Sequence, residues 1–147
     1  MNYKTFIDNI IRLMKADTTN LSSVVSYISP FTTTPATGFP IISIEIVNPK
    51  IKPYSIGTTT RWYDFDIRII CIEKVSSLSA ATGSIFNGIL AFVDANPQLK
   101  NSNNVTTCFQ FGATVGRDIT FNLAANEYGD QLGGVAFYID IPCIVKS

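Results

Sequence analysis

Asp64 and Asp66, two residues apart, are the strongest candidates for chemistry in this chain. They lie in the run 58–74, where Tyr63, Phe65, Ile67, Ile69 and Cys71 alternate with Trp62, Asp64, Asp66 and Arg68. Alternation at period two predicts a β-strand, which puts both carboxylates on one face about 7 Å apart at Cα. Glu45 and Asp140 occupy outward positions in two other alternating runs, so neighbouring strands would bring them alongside. A carboxylate cluster can hold Mg²⁺ or Ca²⁺, or act as general acid and base. Asp64, Asp66 and Asp140 therefore define one hypothesis, a small metal- or ligand-binding domain. The plainer reading is a wet or interfacial sheet face with Arg68 as counter-charge. It carries more weight, because the sequence supplies no nucleophile, no phosphate-cradling loop and no pocket.

Composition narrows the chemistry further. The chain has 147 residues and no histidine, which excludes Ser-His-Asp and Cys-His catalysis, a histidine base and His-ligated metal. Gly112, Gly116, Arg117 and Asp118 lack the Gly-Lys-Ser/Thr ending of a phosphate loop and read as a turn. Eleven Lys+Arg balance eleven Asp+Glu, which argues against non-specific nucleic-acid binding. The aromatics Tyr63, Phe65, Phe109 and Phe111 fall at inward strand positions and read as core, not as base-stacking platforms. Charged residues make up only 15%, while 15 Thr, 12 Ser and 11 Asn supply neutral polarity. Such a surface suits a protein packed against copies of itself or partners. Cys71, Cys108 and Cys143 have neither metal-ligand nor redox spacing and read as buried thiols in a reducing compartment. No cofactor is implied. The charged N-terminus is no signal peptide, and no apolar run is long enough for a membrane helix, so a soluble chain made in the cytoplasm is expected.

The elements that must position these residues follow from periodicity. The length fits a single domain over 1–147. Tyr3, Phe6, Ile7, Ile10, Leu13 and Met14 recur at helical spacing and predict an amphipathic helix over 2–17. Residues 21–28 read as a weak strand and 39–47 as a clear one. Residues 48–60, with two prolines and a glycine, read as a loop or hairpin arm. A second amphipathic helix is predicted over 76–95, capped by Ser77 or Ser79 and stopped by Asn96-Pro97. Gly83 and Gly88 inside it suggest a close approach to the sheet. Strands are predicted over 105–113 and 134–146, with a mobile, glycine-rich loop across 114–134 in which 118–123 alternates again. Pro142 places the last strand at an edge, or at a position that needs no ladder donor. The expected fold is α+β: an antiparallel or mixed sheet with both helices packed on one face, and Glu45, Asp64, Asp66, Arg68 and Asp140 on the other.

The order of these segments resembles the tail terminator, or tail-completion, proteins of long-tailed bacteriophages. An amphipathic first helix is followed by Gly38-Phe39-Pro40, which enters a strand ending in Glu45. A long strand reading Phe65-Asp66-Ile67-Arg68-Ile69-Ile70 comes next, then a helix that stops at Asp94-Ala95-Asn96-Pro97, then a final strand. The resemblance spans most of the chain through short motifs, and the stretch 124–134 has no counterpart in it. It implies a non-enzymatic virion protein of the tail or neck, assembled in the host cytoplasm. Such proteins form a ring, usually a hexamer, that caps the tail tube, ends its polymerisation and meets the head connector protein. DNA passes through without specific binding. Under this reading Glu45, Asp64, Asp66 and Asp140 form a wet, acidic face suited to a channel. The loops 48–60 and 114–134, with Lys50, Lys52, Tyr54, Thr59, Arg117 and Tyr128, are the expected contacts to neighbouring subunits or the tube. A head-side connector or neck protein is the allied alternative.

Overall fold

The computed structural model describes residues 1–24, 26–28, 40–53, 57, 59–73, 85–123 and 135–146. Its elements in chain order are α1 (Tyr3–Ala16), β1 (Ser26–Ile28), β2 (Ile41–Pro53), β3 (Arg61–Glu73), α2 (Ile85–Ala95), β4 (Gln110–Phe111), β5 (Thr120–Leu123) and β6 (Val135–Lys146). The strands form one mixed sheet of order β1-β2-β3-β6-β4, with β5 also paired to β6. β1 runs parallel to β2 and every other pairing is antiparallel. This is the expected α+β fold.

Alternation decides which side chains meet the helices. Ile42 and Ile44 of β2, Phe65, Ile67, Ile69 and Cys71 of β3, and Phe137, Ile139, Ile141, Cys143 and Val145 of β6 share one face and are buried. Phe6, Ile10 and Met14 of α1 join the same cluster, as do Ile85, Ile89, Phe92 and Val93 of α2. Both helices therefore lie on this inner face. Each aliphatic side chain removed from water there contributes roughly 1.5–3 kcal/mol before its lost entropy is set against it. α1 starts where the Asn2 side chain accepts from the Thr5 N–H at 3.1 Å, an N-cap that satisfies one orphan donor. Its rings meet β3 edge-on: Phe6 and Phe65 centroids lie 5.7 Å apart. Its polar side is tied down as well, by Asn9 and Arg12 donating to the Leu99 and Lys100 carbonyls at 2.9 and 2.8 Å.

Several expectations need correction. Over residues 48–53 the hairpin-arm reading holds and the loop reading does not: β2 continues to Pro53 and pairs with Arg61–Asp64. A bulge between Val47 and Lys50 resets the register, with Asn48 at φ 54, and so lets Pro49 be accommodated without ending the strand. The weak strand 21–28 shortens to Ser26–Ile28, because Leu21 and Val24 donate to Asp17 and Leu21 in a turn that continues from α1. The strand over 105–113 shortens to Gln110–Phe111, because the Thr107 and Cys108 N–H groups are taken by the Gln98 carbonyl. Phe109 is then 66% exposed, not core, while Cys108 is buried. Within the loop predicted at 114–134, residues 120–123 form β5. Gly88 approaches the turn after α1 and not the sheet: a Cβ there would overlap the Asn20 carbonyl. The predicted start of the second helix, 76–84, with Ser77, Ser79 and Gly83, lies outside the described residues, as does 124–134.

Pro142 sits in an interior strand. Its carbonyl accepts from the Gly112 N–H at 3.0 Å, so its nitrogen also faces away from β3. There β4 ends opposite Cys143 and β5 begins opposite Asp140. The missing donor falls in the gap between two strands, where no ladder bond is lost.

Candidate functional site

The outer face of the sheet carries the chemistry-bearing residues in rows. Glu45, Arg68, Asp140 and Thr120 are register partners across β2, β3, β6 and β5. Lys50, Asp64, Ile144 and Gln110 form a second row, toward the far end of β2. Asp66 stands between the rows, opposite Val47 and Pro142.

Arg68 grips Asp140 with a two-point fork, Nε to Oδ1 at 2.8 Å and Nη2 to Oδ2 at 2.9 Å. The pair is largely buried, with side-chain exposures of 19% and 13%. The guanidinium also lies 4.1 Å from the Tyr138 ring centroid, a cation–π contact on the same face. This bidentate geometry holds both charges where water reaches them poorly.

Arg117 supplies a second clamp from outside the sheet. Thr114 and Arg117 exchange backbone hydrogen bonds of 2.9 and 3.1 Å across a tight turn. Gly116, at φ 83, takes the left-handed third position that a type II turn requires. Val115 stands fully exposed at its tip. The turn aims Arg117 back over β3, where Nη1 donates to Asp64 and Nη2 donates to Asp66 at 2.7 Å and to the Phe65 carbonyl at 3.3 Å. A cleft of 510 Å³ opens beside it, lined by Asn48, Lys50, Asp64, Asp66, Arg117 and Asp118.

The outer face thus brings together all four acids singled out in the sequence, but not as a metal cage. Asp64 and Asp66 hold Arg117, Asp140 holds Arg68, and no group of three or more metal-ligating side chains occurs among the described residues. Nor is the face a free acidic surface. Lys50, Lys52 and Lys146 share it, by register with Asp64 and Trp62. Arg117, expected at a subunit contact, is committed to the sheet. Lys50 and Lys52 are exposed on β2, Thr59 is exposed in a bend, and Tyr54 and Tyr128 lie outside the described residues.

Sequence reasoning missed the far end of this face. Trp62 and Phe109 meet edge to face at 5.3 Å between centroids. With Lys52, Asp64 and Ile144 they line a shallow groove of 340 Å³. Ile51, 57% exposed, stands on the opposite side of the same strand pair. A signal was present: 101–107 is almost wholly polar, so the strand expected from residue 105 lacked an apolar stripe.

Two other groups lie away from the outer face. Cys71, Cys108 and Cys143 are buried thiols outside any disulfide, as expected, and burial pushes the Cys143 thiol up, with Cys108 beside it acting in the same direction. The Tyr27 hydroxyl is buried with no hydrogen-bond partner among the described residues, and its pKa is raised to about 12, first by burial and then by Asp17 and Cys71.

No family model and no curated protein matches the chain. Among the described residues no helix is long and apolar enough to cross a membrane.

Proposed function

We propose that the chain is a structural subunit of a phage tail. In this reading it assembles into a ring, most simply a hexamer, that caps the tail tube, ends tube polymerisation and meets the head connector protein. The resemblance in segment order supports it. The observation that carries it furthest is the placement of the exposed apolar side chains. Ile51, Phe109 and Val115 project from the far arm of β2 and from turns, not into an enclosed cavity. A ring subunit needs such projecting patches, because each copy must present two different surfaces to its neighbours. The paired charges of the outer face fit the same role. Arg68 and Arg117 pair with Asp140, Asp64 and Asp66, and Lys50, Lys52 and Lys146 share the face, so it neither gathers cations nor grips phosphate strongly.

Electron microscopy of the purified chain mixed with tail tubes tests this. Rings seated on tube ends, with tubes of limited length, are expected. Tubes that grow unchecked, or rings seated on the head portal instead, contradict tail termination.

A further inference from the structure

Two of the three cysteines come together where β4 meets β6. Gln110 is the register partner of Ile144, and the Phe109 N–H also donates to the Ile144 carbonyl, at 2.8 Å. Two residues thus oppose one, as in a β-bulge. Phe109 turns outward against Trp62, and Cys108, the residue before it, turns inward and is buried. Cys143, opposite Phe111, faces inward as well. Both cysteines belong to the one buried cluster, and their thiols lie side by side. Cys71 belongs to that cluster but is no neighbour of theirs. Cys143 is the register partner of Phe65, which puts Cys71 about 20 Å away along β3.

The paired thiols differ in access. Cys143 is fully buried. Cys108 forms one wall of a cleft of 190 Å³ with Thr106, Thr107, Phe109 and Lys146, and its S–H donates to the Pro97 carbonyl at 3.6 Å.

We propose that Cys108 and Cys143 are a site of oxidative modification, a thiol pair that hydrogen peroxide entering by the Cys108 cleft converts to a disulfide. The Cys108 thiolate attacks a peroxide oxygen and the O–O bond breaks. The departing hydroxide takes up the thiol proton and leaves as water, and Cys108 becomes a sulfenic acid. The Cys143 sulfur then attacks the Cys108 sulfur. Its proton goes to the departing hydroxyl, which leaves as a second water. The two thiols lose two electrons, and these reduce the peroxide to water. Burial raises the Cys143 pKa, so the second step is the slow one. The bond fastens the segment between α2 and β4 to β6 and restricts the unfolded chain from 108 to 143. Oxidised protein is therefore harder to unfold. This inference does not depend on the ring reading.

Intact mass of the folded protein before and after peroxide, then alkylation in denaturant and peptide mapping, tests it. The wild type and C71A are each expected to lose the mass of two hydrogens, with the peptides of Cys108 and Cys143 joined. Cys71 of the wild type is expected to remain alkylatable. C143A is expected to stop at a sulfenic acid on Cys108, trapped by dimedone, and C108A to stay reduced at Cys143. The oxidised wild type is expected to melt about 5 °C or more above the reduced form, and dithiothreitol to reverse the rise. A bond to Cys71, or one between two chains, would overturn the proposal. So would a wild-type Cys108 that proceeds to sulfinic acid, or three thiols that all stay reduced in the folded protein.

Discussion

The two faces of β3 solve the same problem differently. On the inner face Phe65, Ile67, Ile69 and Cys71 lose nearly all contact with water under α1 and α2. On the outer face Asp64, Asp66 and Arg68 sit at the intervening positions, largely covered and satisfied by arginine–carboxylate pairs. The inner face derives its stability from area, which is non-directional and tolerant of detail. The outer face depends on geometry, since a guanidinium displaced from its carboxylate leaves two desolvated charges unpaired. The contrast changes along the strand: Ile70 and Ile72 are buried on the outer side too, so only the half toward Trp62 stays available for polar contacts.

The largest break in this comparison comes from the inner face. Phe65→Ala removes a ring that meets both Tyr3 and Phe6 and is expected to cost about 3–5 kcal/mol in denaturant unfolding. A cost under about 1 kcal/mol would mean that α1 does not depend on this face. On the outer face Arg68→Ala is expected to cost about 1–3 kcal/mol, less than for a fully buried pair because water still reaches part of it. Asp140→Asn in the same background should add little, which a double-mutant cycle checks. Arg117→Ala comes next, at about 1 kcal/mol, since its partners are about a quarter exposed and the turn survives without the side chain.

The smallest effect concerns Tyr27 and appears only at high pH. Its folded pKa of about 12 lies above the ordinary 10.0, so the folded chain keeps a proton that the unfolded chain loses. Stability from this group is fully present below pH 10.0 and falls as pH rises toward about 12. Tyr27→Phe should remove that decline and leave neutral-pH stability nearly unchanged, because the hydroxyl has no partner to lose. Melting curves between pH 9 and 12 read the difference, about these limits.

Much of the inner face was legible because it depends on period alone. Phe6, Ile10 and Met14 declared α1, and the odd-numbered residues from 63 to 71 declared the buried side of β3. The outer face was legible in identity but not in pairing. Register across β3 and β6 sets Arg68 against Asp140, and register is not written in either strand by itself. Arg117 was hidden for a different reason. It lies 51 residues from Asp66, and only the turn at Gly116 brings it back. Phe109 misled because alternation was extended into residues whose backbone donors are taken by Gln98. For Arg68 and Arg117 the missing information was a long-range hydrogen bond, and for Phe109 a pair of bonds from Thr107 and Cys108 back to Gln98; the alternation of a strand is blind to both.

The inner face makes the fold, and we propose that folded copies of the chain assemble with one another into a ring. Native mass spectrometry of the purified chain at low salt tests it most directly. The account predicts a closed multiple of the 16.1 kDa subunit, six copies on the family resemblance. A single species at the mass of one subunit, under every condition in which the chain is folded, would contradict it.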